Sequence, residues 1–117
     1  MTTTQTPQAF LMIGDTLVLT TNYNNGGSPP VPINLTGYTI TILIRDGTDT
    51  TTLATLTIGA GIVVADQSVA ANLGNYVATY ASTSTWAGNV LVQIRYVNPF
   101  GGVETYDPIV IAMKAAL

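Results

Sequence analysis

At 117 residues the chain has the length of one domain, enough for a real core and too little for a core plus a large separate catalytic domain. Only 8% of residues are charged, and three Lys+Arg against six Asp+Glu with no His give a net charge of −3, so no basic surface exists to neutralise a phosphate backbone and nucleic acid is not an expected partner. Cysteine is also absent, which removes disulfides, thiolate metal sites and the usual nucleophile–base pairs, so neither metal nor cofactor is expected.

The chain opens MTTTQTPQAFLMIGD, without a basic n-region, and its apolar run from Ala9 to Ile13 is too short for a signal peptide core. No segment approaches the roughly 18 apolar residues of a membrane span, so no membrane association is expected. Residues 1–13 read as an N-terminal arm, flexible or ordered by a partner, with AFLMI as a possible short strand. Residues 14–117 read as a single domain.

After the Gly14-Asp15 turn, Leu17, Leu19, Thr21 and Tyr23 alternate with Val18, Thr20 and Asn22, the period of a strand. NNGGSPPVPIN then breaks regular structure, because its glycines permit positive φ and its prolines cannot donate to a ladder. In the strand that follows, Ile40, Ile42 and Ile44 occupy one side and Thr39, Thr41, Leu43 and Arg45 the other. DGTDT turns this strand back into a hairpin partner at Thr52 to Ile58.

Gly59 and Gly61 bracket a corner into Ile62-Val63-Val64, and DQSVAANLG suggests one helical turn capped by Ser68. Asn75 to Ala81 alternates again, and a polar loop carrying Trp86 follows. From Asn89 to Val97, Val90, Val92, Ile94 and Tyr96 face one way and Leu91, Gln93, Arg95 and Val97 the other. An NPFGG turn leads to a last strand, Val103 to Lys114, in which Pro108 predicts a bend or bulge at a sheet edge. About seven short strands with regular turn signals and no firm helix predict an all-β antiparallel β-sandwich, with a small barrel or jelly roll as the alternative.

The outward positions Thr39, Thr41, Leu43, Arg45, Leu91, Gln93 and Arg95 form the candidate interface. Threonine suits a pleated surface, stays wettable, and can be covered by another subunit without burying unpaired charge. A homo-oligomer is therefore expected. Arg45 and Arg95 either pair with a carboxylate such as Glu104 or Asp107 or anchor the interface. Asp15, Asp46 and Asp49 read as turn residues, since aspartate hydrogen-bonds its own backbone, and no ligand-dense carboxylate motif supports an enzyme. Trp86 and Phe100, both in expected loops, are candidate glycan contacts for a binding module.

GDTLVLTTNY (14–23), PINLTGYTITILIRDG (32–47), LGNYVATY (73–80) and GNVLVQIRYVNPFGGVETYDPIVIAM (88–113) together resemble a phage-borne immunoglobulin-like β-sandwich. They are similar to the N-terminal domain of baseplate upper proteins and to small structural proteins of tailed phages. The resemblance implies structural attachment rather than chemistry: a bacteriophage virion protein, assembled in the host cytoplasm, whose partners are capsid or tail and baseplate proteins. With Leu117 last, no stalk or receptor-binding domain is expected to follow, which favours capsid decoration over a fibre root; a tail or baseplate adaptor is the alternative.

Overall fold

The computed structural model describes residues 2–6, 10–12, 14–48, 51–81, 88–106 and 108–114. Its strands are β1 (Thr2–Thr6), β2 (Phe10–Met12), β3 (Thr16–Asn24), β4 (Thr39–Asp46), β5 (Thr52–Ile58), β6 (Gly61–Val64), β7 (Asn75–Ala81), β8 (Asn89–Val97), β9 (Val103–Thr105) and β10 (Ile109–Lys114). The chain is all-β, as expected. Among the described residues the sole helical element is a 3-10 turn, Ala70–Asn72. Ser68 does not cap it: Val69 holds that position with no side-chain bond, and the Ser68 hydroxyl donates instead to Asp66 Oδ1 at 2.7 Å. Asp66 offers a local acceptor that competes with helix capping.

The strands form one ladder in the order β1-β3-β7-β6-β5-β4-β8-β10-β2, with β9 also on β8. Most neighbours are antiparallel, while β5 with β6 and β10 with β2 are parallel. The segment expected as an N-terminal arm supplies both ends of this ladder, β1 against β3 and β2, within the AFLMI run, against β10. Thr6 and Phe10 are four residues apart, so those two ends lie within roughly 15 Å of each other. The sheet is therefore curled into a half-barrel.

The concave side holds the core. Ile40, Ile42 and Ile44 of β4 are fully buried and meet Tyr96, Ile94 and Val92 of β8 in register. Leu17 and Leu19 of β3, Leu56 of β5, Ile62 of β6 and Ile111 of β10 complete the apolar interior. Each such aliphatic side chain stabilises the fold by about 2 kcal/mol on area grounds. The period of two in the sequence thus becomes two faces of one sheet.

Pro108 breaks the last strand as its missing N–H requires. Thr105 lies opposite Arg95 and Ile109 opposite Val92, so the register slips by one residue between β9 and β10. That slip turns Glu104 and Ile109, five positions apart, to the same interior side. Tyr106 N–H still donates to Ile94 O at 3.0 Å across the irregularity.

Candidate functional site

The seven residues read from the sequence as an interface fall together on the convex face of β4 and β8. Register pairs Thr41 with Arg95, Leu43 with Gln93, and Arg45 with Leu91, and Thr39 follows at the same parity. Thr39 and Arg95 are exposed and the other five half-exposed, so none belongs to the core. The face continues through exposed Thr55 and Thr57 of β5, opposite Leu43 and Thr41, and through Val110 of β10, opposite Leu91 and 57% exposed. Gln93 has a structural task as well, its amide donating to Tyr106 O at 3.2 Å beside the Pro108 irregularity.

Arg95 stands opposite Thr105 on the convex side, whereas Glu104, opposite Tyr96, points inward. Asp107, the other carboxylate considered, lies outside the described residues, as do Asp49 and Trp86. Asp46 is the turn residue expected of it, its Oδ1 accepting from Thr48 N–H at 3.1 Å and from the Thr48 hydroxyl at 2.8 Å. Among the described residues no group of three or more His, Cys, Asp or Glu side chains could hold a metal ion.

At one end of the half-barrel the alternating pattern delivers something the sequence reading did not single out. Five tyrosines converge there, from the end of β3 (Tyr23), the entry to β4 (Tyr38), the start of β7 (Tyr76), the end of β8 (Tyr96) and the segment after β9 (Tyr106). Tyr23 and Tyr96 stack with centroids 4.1 Å apart. Tyr38 meets Tyr23 edge-on at 5.8 Å, and Tyr76 and Tyr106 meet Tyr96 edge-on at 6.2 and 5.8 Å. Such edge and stacked pairs satisfy the ring quadrupoles and add to the burial of the rings.

The hydroxyls are organised too. Tyr76 and Tyr96 hydrogen-bond to each other at 2.5 Å in the interior. Tyr23 donates to Glu104 Oε2, and Tyr106 donates to Glu104 Oε1 at 2.8 Å, so each carboxylate oxygen receives a phenol. Burial pushes the Tyr23 phenol well above its ordinary range, and the hydrogen bond and charge of Glu104 push it further. Burial pushes Tyr76 up likewise, with Tyr96 adding to the effect. Burial alone would raise Glu104, yet the hydrogen bonds from Tyr23 and Tyr106 reverse this and hold its carboxyl below the usual carboxylate range.

Above this cluster lies a half-open cavity of about 260 Å³. It is lined by the stacked pair Tyr23 and Tyr96 together with Tyr38, Asn98, Gly102, Val103 and Glu104. The β8–β9 turn forming one wall is built on Asn98, whose Oδ1 accepts from Phe100 N–H and Gly102 N–H, each at 2.9 Å. Phe100 projects from that turn 97% exposed, so it takes no part in the core.

Two further devices fix this end. Gly74 has φ +77, and a Cβ there would lie 2.3 Å from Tyr23 O, so only glycine allows the backbone before β7 to approach the end of β3. Gln67 accepts from Leu35 N–H and Gly74 N–H, each at 3.0 Å, and donates to Ala65 O at 2.8 Å and Asn72 O at 2.9 Å. One amide thereby ties the β3–β4 loop to the β6–β7 connection.

Compared with known proteins, the chain matches no protein-family model and no curated protein. What its surfaces can do follows from their own chemistry: a broad, mostly uncharged face able to meet another protein, and a small polar pocket at the barrel end.

Proposed function

We propose that this chain is a non-enzymatic structural protein of a bacteriophage virion, docked in repeated copies on the assembled particle. Head decoration is the favoured position and a tail or baseplate adaptor the alternative. The observation that carries the docking role is the convex β5-β4-β8-β10 face, where threonine, leucine and valine alternate around two arginines. Most of the side chains covered there are uncharged, the two arginines being the charges to desolvate, and arginine is a residue that interfaces favour. Repetition on a symmetric particle then multiplies a modest contact into firm attachment.

The strand order supports the immunoglobulin-like part of this reading. The half β1-β3-β7-β6 and the half β5-β4-β8-β10 follow the order of the ABED sheet and of the GFC sheet with its added strand in that sandwich class. The split of the N-terminal segment between both halves fits the same scheme. Attachment itself requires no catalytic group.

Protein mass spectrometry of purified particles from the virus encoding the chain tests the proposal. Many copies per particle are expected, resistant to washing at moderate salt because the contact is largely uncharged. Absence of the chain from the purified particles overturns it.

A further inference from the structure

At one end the ladder stops at β1, and the edge left there carries none of the usual protection. We propose that this edge is a self-association site, at which β1 pairs antiparallel with β1 of a second copy around a two-fold axis through Thr4. The surface is not the convex face, and the inference does not depend on the virion reading.

The hydrogen bonds of β3 decide which way β1 presents its backbone. Tyr23 N–H donates to Gly74 O at 2.8 Å and Tyr23 O accepts from Ile33 N–H at 3.0 Å, so both main-chain groups of Tyr23 point away from β1. Directly opposed residues of an antiparallel pair either exchange two bonds or point away from each other. Thr3, opposite Tyr23, therefore turns its N–H and C=O to the outside of the sheet. The alternation repeats every second residue: Thr2, Thr4 and Thr6 face β3, while Thr3 and Gln5 face the free edge, where no strand pairs among the described residues.

Two residues with one N–H and one C=O each leave four ladder groups open. A two-fold axis through Thr4 sets Thr3 opposite the second copy's Gln5, and Gln5 opposite the second copy's Thr3, and each such pair exchanges two bonds. All four open groups of each chain are then satisfied. An axis through Gln5 would instead set Thr3 opposite Pro7, which has no N–H to give. An axis through Thr3 would set Gln5 opposite residue 1, outside β1. The strand thus selects one register with itself.

Exposed edges are ordinarily blunted by lysine or another charge, by proline or by a bulge. TTTQT contains no charge and no proline, and it pairs with β3 in unbroken register. Two copies of it meet without like charges in opposition and without an ion to desolvate. The other end of the ladder is the poorer site, since β2 offers three residues where β1 offers five. Four main-chain bonds make a weak contact by themselves, so association is expected at high protein concentration.

Cysteine is absent from the chain, so Thr4→Cys and Thr6→Cys each carry a single thiol. In the proposed register the two Cα atoms at position 4 lie about 4.5 Å apart, within the span of a disulfide, whereas those at position 6 are offset by four residues, roughly 14 Å. Under mild oxidation Thr4→Cys is expected to form a disulfide-linked dimer about tenfold faster than Thr6→Cys, or more. Sedimentation equilibrium is the second measurement, with Leu43→Asp present throughout so that contacts of the convex face do not contribute. That chain is expected to approach twice 12.2 kDa at high concentration. Adding Gln5→Pro removes an N–H on the free side, where an edge strand tolerates proline. It is expected to keep the denaturation midpoint and to weaken the dimer about tenfold or more. Equal cross-linking of the two cysteine variants overturns the proposal. So does a chain that is monomeric at every concentration, or dimerisation unchanged by Gln5→Pro.

Discussion

Tyr23 and Tyr96 stack at 4.1 Å, 21° from parallel, although their strands β3 and β8 are five places apart along the ladder. At about 4.8 Å per neighbouring strand, a flat sheet would hold them roughly 24 Å apart. The contact is thus a direct measure of how far the sheet curls. It also joins the two walls of the half-barrel beside the Glu104 network.

Separating the ring from the hydroxyl tests that view. Tyr23→Phe keeps the stack and removes the donor to Glu104, and is expected to cost about 1.5 kcal/mol, the low end for a hydrogen bond to a charged group. Tyr23→Ala also removes the bridge between the walls and is expected to cost about 3–5 kcal/mol. Urea denaturation of both variants gives the comparison. Equal losses would mean that the ring contributes nothing beyond its hydroxyl.

Stability should decline at both ends of the pH scale for opposite reasons. Glu104 is held below its ordinary value of 4.5, so the folded state binds this proton more weakly than the unfolded chain. Its contribution is complete above that value and drains away as pH falls below it. Tyr23 and Tyr76 are raised above 10.0, chiefly by burial, so the folded state holds these protons more tightly. Their contribution is complete below pH 10 and is lost as pH rises past it, at a slope approaching about 1.4 kcal/mol per pH unit for each group. Denaturation midpoints from pH 3 to 11 should show both limbs, and Glu104→Gln should flatten the acid one and also weaken the alkaline one in so far as Glu104 helps raise Tyr23.

Much of this architecture was legible because alternation carries face information directly. Ile40, Ile42 and Ile44, and Val90, Val92 and Ile94, each imply one buried side, and the seven outward residues of β4 and β8 needed only antiparallel pairing to form one surface. The tyrosine cluster was not legible. Alternation places Tyr23, Tyr76 and Tyr96 inward, but that they share one end depends on strand direction and on a curl that no local pattern encodes. The inward position of Glu104 was not legible either, because its parity is set by pairing with Tyr96. Thr2 to Thr6 was read as an arm because edge pairing has no signal beyond β-branched composition.

Gln67 gave no sign of importance in the sequence, yet its amide uses both its donor and its acceptor ends at one junction. Gln67→Glu preserves shape and the acceptor but presents a second charged oxygen to the Ala65 and Asn72 carbonyls. A loss of about 2 kcal/mol is expected at pH 7. Relative to the parent, part of it should return near pH 4, where the protonated acid regains one donor. Equal stability of Gln67→Glu and the parent at pH 7 would mean that the junction is held by its backbone alone.

Leu43 and Leu91 decide the role of the convex face, since both are half-exposed there and each stands across the β4–β8 ladder from a polar partner, Gln93 and Arg45. Leu43→Asp and Leu91→Asp add a charge without opening the core, so each variant is expected to keep its far-UV circular dichroism and to stay within about 1 kcal/mol of the parent. Light scattering over a concentration series should then find the parent as a multiple of 12.2 kDa and both variants shifted toward the monomer. If the parent is already monomeric throughout, self-association is removed, the face is left to the different partner that the virion proposal calls for, and under that proposal the same variants should fail to bind particles. Unfolding of both variants would place these leucines in the core and end the interface assignment.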